Sequence, residues 1–239
     1  MPYDVKKDLI NARALLQKAD AILIVTGAGM SVDSGVPTYR GNNGIWTKSI
    51  QIGKERYAYH EISSLKMWKE NPELAWGFKS SFYKLMNELS PHEGYYELFN
   101  AMNKYDYFIA TSNIDGYFQR SGFDTNRIYE VHGSVNYLQC MDKKCNQLNG
   151  VTVAENMPTF NEETFIADWL PKCKFCNNMS RPNVSMFGDV EFYGKHYEYQ
   201  RKRLDNWLDN LKKYNKKLVI LEIGCGINPH SLRMENASF

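Results

Sequence analysis

Three short apolar runs dominate what this chain can fold into: AILIV at residues 21–25, DYFIATSN at 106–113 and LVILEIG at 218–224. Each has the length of a strand, and none approaches the roughly 20 apolar residues of a membrane-spanning helix. Unbroken apolar strands imply burial on both faces, the mark of a parallel sheet inside an α/β domain. All three runs end in small or polar residues, and ligands of open parallel sheets gather at the carboxyl ends of the strands. The composition is compatible with such a domain. It is 43% hydrophobic, enough for a core, and Lys+Arg 29 against Asp+Glu 27 gives a net charge of +2. That balance argues against a dedicated nucleic-acid binder, which carries a basic excess. The amino terminus lacks a secretory h-region, so the expectation is a cytoplasmic protein with no membrane partner.

Helical periodicity fills the intervals. Residues 4–19 read as a helix capped by Asp4, with Leu9, Ala12, Leu15 and Leu16 on one face. Residues 72–89 carry the stripe Leu74, Phe78, Phe82, Leu85 and Leu89, with Asn71 as cap and Pro72 at the first helical position. Further helices are expected over 93–102 and over 195–214, the latter with Tyr199, Leu204, Trp207, Leu208 and Leu211 on its apolar side. Residues 127–131 suit a short strand, 41–103 a helical subdomain or a plain helical layer, and 139–181 an irregular stretch with a turn at Asn149-Gly150.

The five cysteines are too few for a disulfide scaffold. Four form two pairs, Cys140-x4-Cys145 and Cys173-x2-Cys176, separated by 27 residues. Two such pairs can clamp opposite edges of a tetrahedral ion, and thiolates suit structural zinc. An iron–sulfur centre or four unrelated thiols are the alternatives. An all-cysteine shell leaves no open position, so its role would be to staple a polar segment that cannot bury enough apolar surface. Cys225 stands apart, directly after the third apolar run.

Polar clusters follow the strands. Thr26-Gly27-Ala28-Gly29-Met30-Ser31 follows the first. Glycines permit tight turns and bring backbone N–H groups close to a phosphate, or serve the turn alone. Arg40, beside Tyr39, could pair with a phosphate or carboxylate, or be merely exposed. Ser112-Asn113-Ile114-Asp115 follows the second strand, where Asn offers a donor and an acceptor and Asp offers acceptors; capping a turn would use them equally well. His132 is the one histidine set between a strand end and a glycine, where a neutral imidazole could accept a hydroxyl proton.

Together these pieces resemble the sirtuin family of NAD-dependent protein deacylases. GAGMSVDSGVPTYRG (residues 27–41) resembles the family's GAGxSxxSGIPDFRG, TSNIDGYFQRSG (111–122) its TQNIDxLHxxAG, and VHGS (131–134) its catalytic-histidine motif. The cysteine pairs fall where its zinc module falls, RPNVSMFGD (181–189) resembles RPxVVxFGE, and LEIGCG (221–226) resembles the strand leading to its last cofactor contact. The resemblance implies a Rossmann-like parallel-sheet domain, about 1–40, 91–138 and 182–239, with a smaller zinc-binding and helical domain, about 41–90 and 139–181. It implies NAD as cofactor and one structural zinc held by Cys140, Cys145, Cys173 and Cys176. Gly27, Ala28, Gly29 and Ser31 would line the pyrophosphate end. Tyr39 and Arg40 would belong to the cofactor loop, Ser112, Asn113 and Asp115 to the ribose and nicotinamide contacts, and Gly224 and Cys225 to the last cofactor contact. Met186, Phe187 and Gly188 would border the groove where an acyl-lysine peptide adds as a strand. In the implied reaction the acyl oxygen attacks C1′ as nicotinamide leaves. His132 accepts a ribose proton, and lysine and O-acyl-ADP-ribose are released.

Several positions depart from the pattern: Thr38-Tyr39 for Asp-Phe, Ser112 for Gln, Tyr117-Phe118 for Leu-His, Asp189 for Glu, and Cys225 for a hydroxyl residue. The stretch from Tyr117 to Phe123 also resembles the macrodomain-linked branch, which implies protein ADP-ribosyl transfer as the alternative activity, but that branch lacks the histidine present here as His132. A binding protein with a sirtuin cleft is the third expectation. A monomer or weak oligomer is expected. The chain ends 13 residues after Gly226, which leads to the expectation of a divergent or truncated end over 228–239.

Overall fold

The computed structural model describes residues 4–38, 44 and 49–226. Its centre is a four-stranded parallel sheet in the order β5-β4-β1-β9, formed by β1 (Ala21–Thr26), β4 (Asp106–Thr111), β5 (Ile128–Glu130) and β9 (Leu218–Ile223). The three apolar runs thus lie side by side, and β1 is buried at every position because it is flanked by strands and covered on both faces. The expectation of two-sided burial fails for β9. It forms the sheet's edge among the described residues, its side chains are only half covered, and Ile220 is 40% exposed.

Helix α8 (Lys195–Lys213) covers one face of the sheet with Leu204, Trp207 and Leu208 against Leu23, Val25, Phe108 and Ala110. Tyr199 is not part of that apolar side. It is exposed, and Tyr197 and Gln200 are buried in its place. The other face packs on α5 (Glu93–Met102) and on Tyr117, Phe118 and Phe123 from the stretch after β4. Helix α1 (Val5–Gln17) begins as expected, with the Asp4 carboxylate accepting from Lys7 N at 3.1 Å. Its apolar stripe, however, remains exposed at Leu9 and Leu15, and only Leu16 reaches the core cluster.

The long interval between β1 and β4 contains more than helices. A hairpin, β2 (Ser49–Ile52) and β3 (Glu55–Ala58), turns on Gly53-Lys54, with Gly53 at φ +59° as such two-residue turns require. Then come α2 (Tyr59–Ile62), α3 (Leu65–Glu70) and α4 (Pro72–Glu88), whose start is set by the Asn71 side chain accepting from Leu74 N and by Pro72 in the first turn. Residues 139–181 are likewise more ordered than expected. β6 (Gly133–Cys140) is the centre of an antiparallel three-stranded sheet with β7 (Thr152–Val153) and β8 (Ser180–Val184), and α7 (Lys143–Asn149) ends at Gly150, φ +72°. A backbone contact joins this sheet's region to α4. Gly77 lies so close that a Cβ there would meet the Phe165 carbonyl at 1.8 Å.

Candidate active site

The carboxyl ends of the parallel strands gather the polar residues. Thr26 and Thr111, last residues of β1 and β4, share a hydroxyl hydrogen bond of 2.8 Å, and Thr111 Oγ1 accepts from Asn113 N at 3.0 Å. Past Thr26 the chain enters a short 3-10 helix, Ala28–Ser34, that swings Ser31 under the sheet end. Ser31 Oγ is a hub. It lies 2.9 Å from the Tyr95 hydroxyl, donates to Asp115 Oδ2 at 2.7 Å and accepts from Asn113 Nδ2 at 3.0 Å. All four residues are buried. Asp115 Oδ1 accepts from Tyr117 N at 3.0 Å. Burial pushes the Asp115 carboxyl above its ordinary range, opposed by the Ser31 and Tyr117 donors. Asn113 spends its amide N–H on Ser31, which leaves its amide oxygen as an acceptor without a partner among the described residues.

His132 follows β5 at the same end of the sheet. Its carbonyl accepts from Ser185 N at 2.9 Å, and the flanking Val131 N donates to Thr111 O at 2.9 Å, so its backbone is tied to both β4 and the end of β8. Gly133 has φ +87° and would drive a Cβ to 2.2 Å from the Asn183 carbonyl, which explains the glycine after the histidine. Two residues upstream, Glu130 is buried and accepts from Gln119 Nε2 at 3.0 Å and Gln200 Nε2 at 3.1 Å, an anchor between β5 and α8. Desolvation raises its carboxyl as well.

The glycine turn uses its glycines for approach to backbone. A Cβ on Gly27 would sit 2.7 Å from the Gly224 carbonyl oxygen, and one on Gly29 2.7 Å from Gly224 Cα. Gly27 N donates to Ile223 O at 3.2 Å and Gly29 N to Gly224 O at 3.0 Å, so these two amides are engaged by the segment after β9. Ser112 N donates to Thr26 O at 3.0 Å. Cys225 points its thiol back at Val25 O, 3.3 Å away, on the α8 side of the sheet. Tyr39 and Arg40 lie outside the described residues.

The four clustered cysteines converge at the far end of β6. Cys140 and Cys176 sulfurs are 3.4 Å apart, Cys145 and Cys173 3.6 Å, and all four lie within 4.8 Å of one another with none in a disulfide. A tetrahedral ion with Zn–S bonds of about 2.3 Å sets its ligand sulfurs about 3.8 Å apart, so the set is compatible with structural zinc. Cys140 closes β6 and Gly133 opens it. At about 3.3 Å per residue the strand carries the cluster about 26 Å from His132, too far for it to act there.

Sequence reasoning missed several members of this region. Tyr95, unlike Ser31, carried no sequence signal; it reaches the Ser31 hydroxyl across 64 residues of chain. His92, which looked unremarkable, holds Met30 O at 2.8 Å through Nε2 and caps α5. Arg181 Nη2 grips both oxygens of Asp189 at 2.8 and 2.9 Å, both side chains fully buried, and so pins β8 to the loop carrying Met186, Phe187 and Gly188. The RPNVSMFGD stretch contained both partners, but nothing in its spacing marks them as an ion pair.

A parallel sheet with polar groups at its carboxyl ends, joined by two antiparallel strands to a four-cysteine cluster, is an α/β arrangement whose ligands bind outside the carboxyl ends of the strands. The model described as the Sir2 family matches residues 27–208, and the chain belongs to that family. An NAD-dependent protein deacylase of Aquifex aeolicus (strain VF5) is 28% identical over 185 residues, covering 76% of this chain and 68% of that one. An NAD-dependent protein deacylase 2 of Archaeoglobus fulgidus is 31% identical over 192 residues, covering 77% and 66%. This chain therefore spans about two thirds of the length of such curated relatives. A solved Sir2 homologue in complex with NAD superposes with a TM-score of 0.64 at 20% identity, covering 95% of this chain and 76% of that one.

Proposed function

We propose that this protein is an NAD-dependent protein lysine deacylase that releases nicotinamide and O-acyl-ADP-ribose. What supports the reading is that Asn113 and Asp115, held on the buried Ser31 hydroxyl, and His132, directly after β5, all follow strands at the carboxyl end of the parallel sheet. The family membership and the deacylase names of the relatives support it.

NAD is the co-substrate whose glycosidic bond is broken. The residues offered to it suit its chemistry. Asn113 presents an unpaired amide acceptor, and Asp115 a carboxylate held by two donors, both suited to ribose hydroxyls and the carboxamide. Ser31 and Ser112 would hold these groups in line, and Ala28, between two engaged amides, would face the pyrophosphate with Gly27 and Gly29 forming the turn. Tyr39, Arg40, Gly224 and Cys225 complete the proposed cofactor set. The departing pyridine is already cationic, so the enzyme needs no acid for it. It needs a shielded centre and one base poised near neutral pH, which is the role assigned to His132. Cys140, Cys145, Cys173 and Cys176 would hold zinc as a staple for β6 and β8. Four free thiols call for a reducing compartment, in keeping with a cytoplasmic location. A monomer or weak oligomer acting on an acyl-lysine peptide, with no direct nucleic-acid or membrane partner, completes the reading; no described helix is long and apolar enough to cross a membrane.

Protein ADP-ribosyl transfer has less support. The residues that carry that likeness, Tyr117, Phe118 and Phe123, are buried core side chains, so their divergence reflects packing. The test is His132→Ala. Deacylation of an acetyl-lysine peptide is expected to fall by about a hundredfold or more while thermal unfolding and zinc content stay put. Deacylation at the parental rate would remove His132 from the mechanism.

A further inference from the structure

Cys140 and Cys145 stand on different elements, the first closing β6 and the second in the opening turn of α7. Whether their sulfurs meet therefore depends on how the end of β6 is held against that helix. Asn146, 3% exposed, does the holding. Its Oδ1 accepts from Cys140 N at 2.8 Å, and its Nδ2 donates to Cys140 O at 2.6 Å.

Strand geometry explains why Cys140 needs this partner. The main-chain groups of successive residues in an antiparallel strand point to alternate sides. Met141 N donates to Met179 O at 2.9 Å, on the β8 side, so Cys140 faces the other way. There β7 pairs with Tyr137 and Leu138 and goes no further toward Cys140. The side-chain amide of Asn146, one acceptor and one donor, stands where a longer β7 would have paired. Cys140 is 4% exposed, so without Asn146 its N–H and C=O would be buried and unpaired.

Two further side chains tie the pair to its helix. Asp142 Oδ1 accepts from Lys144 N at 2.8 Å and from Cys145 N at 3.3 Å, which starts α7, while Asp142 N donates to Cys140 Sγ at 3.3 Å. At the other end of α7, Asn149 Nδ2 donates to Cys145 O at 3.1 Å and to Cys145 Sγ at 3.5 Å. Donors of this kind orient a metal ligand and tune its charge.

Resting on the zinc reading above, we propose that Asn146 and Asn149 are positioning residues of the metal centre. Asn146 locks the end of β6 to α7, so that Cys140 and Cys145 converge without an ion, and Asn149 aligns the Cys145 sulfur. A thiophilic divalent cation then enters a ready-made site, and the cost of ordering a loose segment is not subtracted from its affinity.

The test uses the full chain, stripped with a chelator and reloaded. In competition with a chromogenic zinc chelator, Asn146→Ala should bind zinc about 10–100-fold more weakly than the wild type, and Asn149→Ala about tenfold more weakly. Gln147→Ala, at an exposed position of the same helix, should bind as the wild type does. Cobalt(II) in place of zinc reports on the sulfurs themselves. Its thiolate-to-metal charge-transfer band should shift in Asn149→Ala and stay in place in Gln147→Ala. Equal zinc affinity in the wild type and Asn146→Ala overturns the role of Asn146, even if urea unfolding shows a loss of stability, because a residue that only supports the fold stabilises the loaded and stripped forms alike. An unchanged affinity and cobalt spectrum in Asn149→Ala overturns the role of Asn149. Should Asn146→Ala fail to fold, Asn146→Asp, which keeps the acceptor for Cys140 N and loses the donor to Cys140 O, is read in the same way. A wild type that takes up neither ion removes the zinc reading itself, and both positioning roles with it.

Discussion

Ser31→Ala removes the atom on which the candidate site is centred, and its effect can be worked from the three bonds lost. The Tyr95 hydroxyl, the Asp115 carboxylate and the Asn113 amide all lose a partner, in surroundings where Tyr95 is 0% and Asp115 6% exposed. A buried polar group left without a partner costs about 1–3 kcal/mol, and the loss of three shared bonds should destabilise the fold by about 2–5 kcal/mol. The pH dependence has a definite sign. Burial already lifts the Asp115 carboxyl above its value of 3.8 in an open chain, and the Ser31 donor opposes that rise. An acid whose folded pKa lies above its unfolded one loses stability as pH climbs from the unfolded value through the folded one. Without Ser31 the folded value rises further, so the window widens upward. The gap between variant and wild type should therefore be smallest below pH 3.8 and should grow toward neutrality. Urea unfolding at several pH values measures it. A gap under about 0.5 kcal/mol at pH 7, or one that narrows as pH rises, would refute the idea that this hydroxyl sustains a buried carboxylate.

Other perturbations follow from the same geometry. Gly77→Ala forces a methyl group to 1.8 Å from the Phe165 carbonyl, so denaturant unfolding should show a loss of about 1–3 kcal/mol or more, whereas Ala is ordinarily the better helix former. Arg181→Met strands the buried Asp189 carboxylate and should cost about 3–5 kcal/mol; adding Asp189→Leu should recover most of it, and a double variant no better than the single one would contradict the pairing. Cys173→Ser should abolish stoichiometric zinc by elemental analysis and loosen β6 and β8 in hydrogen exchange, while retention of one zinc per chain would exclude Cys173 as a ligand.

How far the sequence could be read depended on whether a signal was local. The three parallel strands were legible because β1, β4 and β9 are continuous apolar runs, and α4 and α5 because cap, proline and periodicity agree over adjacent residues. The four-thiol cluster was legible from spacing alone. The β2–β3 hairpin was missed because each strand has only four residues, too few for alternation to stand out beside helical neighbours. The exposed stripe of α1 and the solvent-facing Tyr199 show the limit of periodicity, which says which residues share a face and not whether that face meets a partner. In the candidate site, Asn113, Asp115 and His132 stood out by motif, but the Ser31–Tyr95 hub and the Arg181–Asp189 pair depend on tertiary approach.

The central claim is that NAD cleavage is coupled to removal of an acyl group from lysine. Incubation with labelled NAD and an acyl-lysine peptide, followed by mass spectrometry of all products, tests it directly. Deacylase chemistry predicts one nicotinamide and one O-acyl-ADP-ribose for each lysine freed, with no label left on protein. Label bound covalently to protein, or lysine freed without NAD being consumed, would contradict it.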